Sequence, residues 1–177
     1  MSVIFVAGIH AVGKSSACEV ISSKFGIPHY TASQIIRGEM SAAVPTGSKL
    51  VDNVAENQRL LIQGVSRLSA SGLILLDGHF TIQRKLDASI EEISVNVFQE
   101  ILVSAVVVFT DDPVKIAGRT FARDNVALPI QYLQAHQEAE VKHAQRVATA
   151  LNLPIVILNA FDTLAFENAI RSWGFIQ

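Results

Sequence analysis

The sequence predicts an α/β domain of three layers, α/β/α, built on a five-stranded parallel sheet. Short unbroken apolar runs recur at 3–7, 28–30, 73–76, 104–109 and 154–158, with helical periodicity between them. Strands without polar alternation belong to sheets covered on both faces. The first run also leads through a glycine-bounded turn into an amphipathic segment, a strand-to-helix passage typical of such sheets. A length of 177 residues, half of them apolar, suits one compact domain over 1–177.

Taken in order, run 3–7 is the first strand, and Ala17, Val20, Ile21 and Phe25 share one face of the helix that follows. A brief strand at 28–30 precedes a second stripe formed by Leu50, Val54, Leu61, Val65 and Leu68. The strands at 73–76 and 104–109 follow, then a stripe of Ile130, Leu133, Val141, Ala144, Ala148 and Leu151. Leu164, Ala165, Phe166, Ala169 and Ile170 mark a last helix after the strand at 154–158. Phe25, Phe98, Phe109, Phe121 and Phe166 read as core, Trp173 as packing, and Cys18 as a buried structural thiol.

Composition excludes several classes. A net charge of −2 gives no broad footprint for nucleic acid. No run of about 18 apolar residues offers a membrane span, and residues 1–5 lack the basic segment of a secretory signal. A single cysteine rules out an internal disulfide. A cytoplasmic protein is expected, with its oligomeric state open.

The chemistry concentrates beyond the carboxyl ends of the strands, where ligands of such sheets bind. Gly8-Ile9-His10-Ala11-Val12-Gly13-Lys14-Ser15 satisfies G-x-x-x-x-G-K-[ST], the phosphate loop of P-loop proteins. Glycines let the backbone wrap so that N–H groups converge on phosphate at a helix N-terminus. Lys14 is expected at the β- and γ-phosphates and the Ser15 hydroxyl on Mg²⁺. Gly8, His10, Ala11, Val12, Gly13, Lys14, Ser15 and Ser16 are therefore the expected contacts of a nucleoside triphosphate, taken as ATP. Asp77 ends the run Leu73-Ile74-Leu75-Leu76, where the metal bridging the phosphates needs a second acidic partner. His79 follows two residues on, as a substrate contact or as packing beneath the loop.

These residues resemble adenylate kinase and its nucleoside-monophosphate kinase relatives. Leu75-Leu76-Asp77-Gly78 matches the opening of that family's L-L-D-G-F-P-R segment. His29-Tyr30-Thr31-Ala32-Ser33-Gln34-Ile35-Ile36-Arg37 aligns with its acceptor run, H-I-S-T-G-D-M-L-R. Arg119-Thr120-Phe121-Ala122-Arg123 reproduces R-x-x-G-R before the lid. The resemblance implies a kinase whose acceptor binds in segment 31–70, at Thr31 and Arg37, and whose donor base lies near Asn159. Arg119 and Arg123, one helical turn apart, would stabilise the transferred group; their alternative is an ion-pair face with Asp111, Asp112 or Asp124. Arg37 is a phosphate clamp or plain helix surface.

The sequence also departs from the family. Ala32 and Ser33 replace a threonine and a glycine, the proline-arginine expected after Asp77-Gly78 is missing with Arg84 lying further along, and the lid shrinks to 124–129. Asp77-Gly78-His79 is closest to the short-lid archaeal-type forms. Lys142 and Arg146 are either lid cations or a solvated face shared with Glu138 and Glu140. The expected activity is γ-phosphoryl transfer from ATP, with Mg²⁺, to a small acceptor, a nucleotide first. The alternatives are a non-nucleotide acceptor, or an ATPase or switch acting through a protein partner.

Overall fold

The computed structural model describes residues 2–42, 54–68, 72–83 and 89–177. Leu50, Arg84 and parts of segment 31–70 lie outside the described residues. Five parallel strands form the central sheet in the order β2-β3-β1-β6-β7, with β1 Ser2–Ala7, β2 His29–Thr31, β3 Leu73–Asp77, β6 Val103–Thr110 and β7 Ile155–Asn159. Each lies within about a residue of its apolar run, because a strand buried on both faces must be apolar along its whole length. β1 shows this directly. Val3, Phe5 and Ala7 enter one core layer, while Ile4 and Val6 enter the other.

Seven helices are described: α1 Lys14–Phe25, α2 Ala32–Ala42, α3 Val54–Arg67, α4 Val95–Glu100, α5 Pro113–Asp124, α6 Ile130–Ala150 and α7 Thr163–Ser172. One layer packs Leu61 and Val65 of α3, Phe98 of α4 and Val147 of α6 against the sheet. The other packs Ala17 and Ile21 of α1, Ile116 of α5 and Phe166 and Ile170 of α7. An antiparallel hairpin, β4 Thr81–Gln83 with β5 Ile90–Glu92, follows β3 and was not anticipated from sequence. Among the described residues no helix is long and apolar enough to cross a membrane.

Several stripe positions need correcting. Val20 is 49% exposed and Leu164 67%, each turned off the buried face of its helix. Ile130 is exposed in the first turn of α6, and Phe121 stands exposed on α5 rather than in the core. The face that α6 buries also carries three polar residues, His136, Glu140 and His143. Cys18 is fully buried, as expected.

α2 and α3 cross closely at Gly64, where an added Cβ would lie 2.2 Å from Ile35 Cγ2. Alanine at a helix-interior position should add about 1 kcal/mol through helix propensity, but this contact reverses the sign. Gly64→Ala is expected to lose roughly 1–3 kcal/mol from overpacking, read by urea or thermal denaturation. A gain in stability would show that the two helices separate freely.

Candidate functional site

β1 ends in the loop Gly8–Gly13, and its backbone geometry explains its composition. Gly8 has φ +138° and an added Cβ there would strike the Phe109 carbonyl oxygen at 2.5 Å, so only glycine fits. Gly13, at φ +106°, is the N-cap of α1, and a Cβ there would meet the Phe161 ring at 2.8 Å. Ala11 also adopts a left-handed conformation, φ +61°, a strained position of the sort that persists at ligand sites. Its carbonyl accepts a 2.8 Å hydrogen bond from Arg119 Nε, so α5 braces the loop from across the cavity.

Lys14, the first residue of α1, is 6% exposed. Its ammonium donates to the carbonyls of Gly8 at 2.8 Å and Ile9 at 3.2 Å, and lies 3.9 Å from Asp77 Oδ1. Burial lowers the Lys14 pKa, opposed by the negative charges of Asp77 and Glu140. Ser15 Oγ donates to Asp77 Oδ2 at 2.5 Å, so the end of β3 meets the start of α1 at one point. His29 of β2 approaches the same carboxylate, its Nε2 4.0 Å from Asp77 Oδ2. The Ser15 hydroxyl and Asp77 carboxylate are hard oxygen donors of the kind Mg²⁺ takes. No group of three or more His, Cys, Asp or Glu residues forms a metal cage among the described residues. These two donors fit a cation shared with phosphate and water rather than a self-sufficient protein site.

A cavity of about 580 Å³ opens over this cluster, lined on one side by His10, Ala11, Gly13, Lys14, Ser15 and Ser16. Thr31, Ala32, Ser33, Asp77, Gly78 and His79 line another side, and Arg119, Ala122, Arg123 and Phe161 the rim. Thr31 Oγ1 accepts from Gln34 N–H while Gln34 Oε1 accepts from Thr31 N–H, a reciprocal capping box that opens α2 at the cavity. The Thr31 and Ser33 hydroxyls lie 3.1 Å apart. His79 Nε2 is 3.4 Å from Lys14 Nζ. Burial, then the charge of Lys14 and the neighbouring His10 and His136, hold the His79 pKa well below its usual value. The ring is therefore neutral at pH 7.

Most residues singled out from sequence thus meet in one place. Gly8 and Val12 shape the loop from beneath, and Val12 is fully buried. Arg119 and Arg123 reach the rim, but each is already paired. Arg119 bonds Asp111 at 2.7 Å and stacks over Phe161, its Cζ 5.3 Å from the ring centroid. Arg123 bonds Asp124 and contacts His10 Nε2. The ion-pair alternative therefore describes these arginines as they stand here.

Other expectations fall outside the cavity. Arg37 is exposed on α2 and does not line it. Asn159 is exposed at the end of β7, and Phe161, two residues further on, takes the rim position instead. Lys142 is exposed on α6, and Arg146 pairs with Glu92, away from the cavity. Glu140, read as part of a solvated face, is fully buried. Phe161 could have been found by following each strand's carboxyl end a few residues into its loop. Glu140 could not, because a carboxylate on a helix resembles a surface residue until its partners are known.

A phosphate loop at a strand-to-helix turn, with an acidic end on the adjacent strand, defines a P-loop nucleotide-binding protein. The sequence matches the family model described as an AAA domain over residues 7–129, more than half of the chain, and the chain belongs to that P-loop family. It is 33% identical over 55 residues to "Probable adenylate kinase 2, chloroplastic" of Oryza sativa subsp. japonica, covering 31% of this chain and 19% of that one. It is 28% identical over 86 residues to "Adenylate kinase isoenzyme 1" of Homo sapiens, covering 44% of each. The alignments thus span less than half the length of these relatives. Among solved structures, a sugar kinase from Janibacter sp. HTCC2649 shares the fold at TM-score 0.56 and 16% identity, over 99% of this chain and 95% of that one. A gluconokinase from Sinorhizobium meliloti 1021 does so at 0.50 and 16%, over 98% and 91%.

The histidines set a pH dependence. A folded pKa held below the unfolded 6.5 means that the unfolded chain takes up protons first as pH falls. Stability present above about pH 6.5 is therefore lost below it, with partly buried His29 and buried His136 acting in the same direction. The nucleotide-free protein should melt progressively lower between about pH 7 and about pH 5, and His79→Gln should flatten that slope. An unchanged slope in the variant would place His79 in a solvated environment.

Proposed function

We propose that the protein is a phosphotransferase that moves the γ-phosphoryl group of ATP to a hydroxyl-bearing small molecule. One observation carries this reading. The phosphate-gripping residues Lys14 and Ser15 face Thr31, Ser33 and His79 across a single cavity of about 580 Å³, a size suited to small ligands. Donor phosphates would lie on the loop between Gly8 and Ser16, held by Lys14 and the start of α1. Ser15 and Asp77 would hold Mg²⁺, which supplies charge neutralisation at the phosphate oxygens. Phe161 and the Arg119 guanidinium offer stacking faces for the donor base, in place of Asn159.

In the transfer, the bond from the γ-phosphorus to the ADP oxygen breaks and one to the acceptor oxygen forms. The acceptor hydroxyl gives its proton to an oxygen of the arriving phosphoryl group, and from there to solvent. Thr31, Ser33 and neutral His79 orient that hydroxyl, and Arg123, exchanging Asp124 for phosphate, stabilises charge on the group in flight. Catalysis in this class is positioning plus electrostatics, with no covalent nucleophile.

The adenylate kinase similarity supports a nucleotide acceptor. A specific observation favours the second reading, a non-nucleotide acceptor such as a polyol or sugar acid. Among the described residues, the wall formed by Thr31, Ala32, Ser33, Gly78 and His79 carries hydroxyls and a neutral ring, and Arg37 stands away from it. The deciding experiment is ADP release with ATP and Mg²⁺ across a panel of nucleoside monophosphates, nucleosides, sugars and sugar acids. Release should rise strongly with one acceptor class; equal release with every acceptor would support the ATPase or switch reading instead. Lys14→Ala is expected to weaken ATP binding roughly 10- to 100-fold by removing a charge-assisted contact, read by equilibrium titration.

A further inference from the structure

The loop that carries Asp77 and His79 into the cavity is not held by the sheet alone. It turns at Gly78, where an added Cβ would meet the Phe5 ring at 2.7 Å, and runs through buried Phe80 into Thr81 at the start of β4. Glu140, three turns into α6, reaches the far end of this loop. Its Oε1 accepts from Phe80 N–H at 2.7 Å, and its Oε2 accepts from Thr81 N–H at 2.8 Å and from Thr81 Oγ1 at 2.5 Å. One turn earlier on α6, His136 Nε2 lies 3.1 Å from the same Thr81 hydroxyl.

As a carboxylate, an acceptor-only group, Glu140 takes both backbone N–H groups and the Thr81 hydroxyl on its two oxygens. Glu140 is fully buried, and no Lys or Arg forms an ion pair with it among the described residues. Burial raises the Glu140 pKa, opposed by its hydrogen bonds from Thr81 and Phe80 and by the Lys14 charge, and Glu140 works with Asp77 against the burial that lowers the Lys14 pKa. A buried charge without an ion-pair partner is costly to keep. A carboxylate there instead of an apolar residue makes sense if its geometry matters to the site.

We infer that Glu140 is a positioning residue: it locks the Gly78–Thr81 segment onto α6 and thereby fixes Asp77 at Ser15, where Mg²⁺·ATP binds. This deepens the proposed function but rests only on its nucleotide-binding half. Glu140 touches neither nucleotide nor metal. It acts on the carboxylate that does, as an outer partner orients a metal ligand.

Glu140→Gln keeps the shape but puts an NH₂ group opposite backbone N–H donors, breaking at least one of the three bonds. Thr81→Val removes the hydroxyl alone and leaves the backbone bonds, so it serves as the milder variant should the first fold poorly. The readout is the affinity for a fluorescent ATP analogue with Mg²⁺ and with EDTA, alongside the melting temperature. The Mg²⁺-dependent gain in affinity should fall by about 10-fold or more in Glu140→Gln, by less in Thr81→Val, and no further in the double variant. Variants that melt lower yet keep the wild-type gain would make Glu140 a purely structural residue and overturn the inference. A wild-type protein whose affinity ignores Mg²⁺ would overturn it too. ADP release that is indifferent to every acceptor would sink the phosphotransfer reading and leave this one standing.

Discussion

Lys14 and Asp77 place an ammonium and a carboxylate 3.9 Å apart, both nearly buried, at the carboxyl ends of two neighbouring strands. Taking two charges out of water costs several kcal/mol each, and their attraction repays this only when further hydrogen bonds complete the shell. The chain supplies them. Gly8 and Ile9 turn their carbonyls onto the ammonium, and Ser15 donates to the carboxylate. The left-handed glycines of the loop, the register of β1 against β3 and the start of α1 all serve that one arrangement. A triphosphate entering the cavity would offer the ammonium a stronger partner than two neutral carbonyls.

The surroundings hold this cluster from several directions. Arg119 on α5 ties the Ala11 carbonyl to Asp111, bracing the strained part of the loop. Glu140 on α6 ties down the segment after β3. Consecutive helices thus grip the two loops that form the floor, and the first of them ends in Asp124, the present partner of Arg123. Arg123 is half-exposed and paired with a solvated carboxylate, an interaction worth little in water, so its exchange for a phosphate costs little.

The strands and the phosphate loop were legible in the sequence because each is dictated locally. A strand covered on both faces must be apolar throughout, and a loop that wraps phosphate must have glycine where a Cβ would strike Phe109. Asp77 was legible for the same reason, being the first polar residue after an apolar run. What escaped depends on tertiary partners. Glu140 shares a charged, helical rhythm with Glu138, Lys142 and Arg146 that reads as solvated, and only the hairpin β4–β5, itself unforeseen, gives it buried partners. Phe121 and Val20 are apolar residues on the solvent side of their helices, which periodicity alone assigned to the core. Arg37 and Asn159 were placed by alignment to a family whose acceptor run and lid this chain does not share in full, and neither lines the cavity.

The central claim is that this cluster is built for the polyphosphate tail of a nucleotide rather than for its base. Calorimetric titration of the protein with ATP, AMP and adenosine in the presence of Mg²⁺ addresses it directly. Affinity should fall steeply as phosphates are removed, and the advantage of ATP over adenosine should largely vanish in Lys14→Ala. Equal affinity for ATP and adenosine, or no binding of ATP at all, would contradict the account.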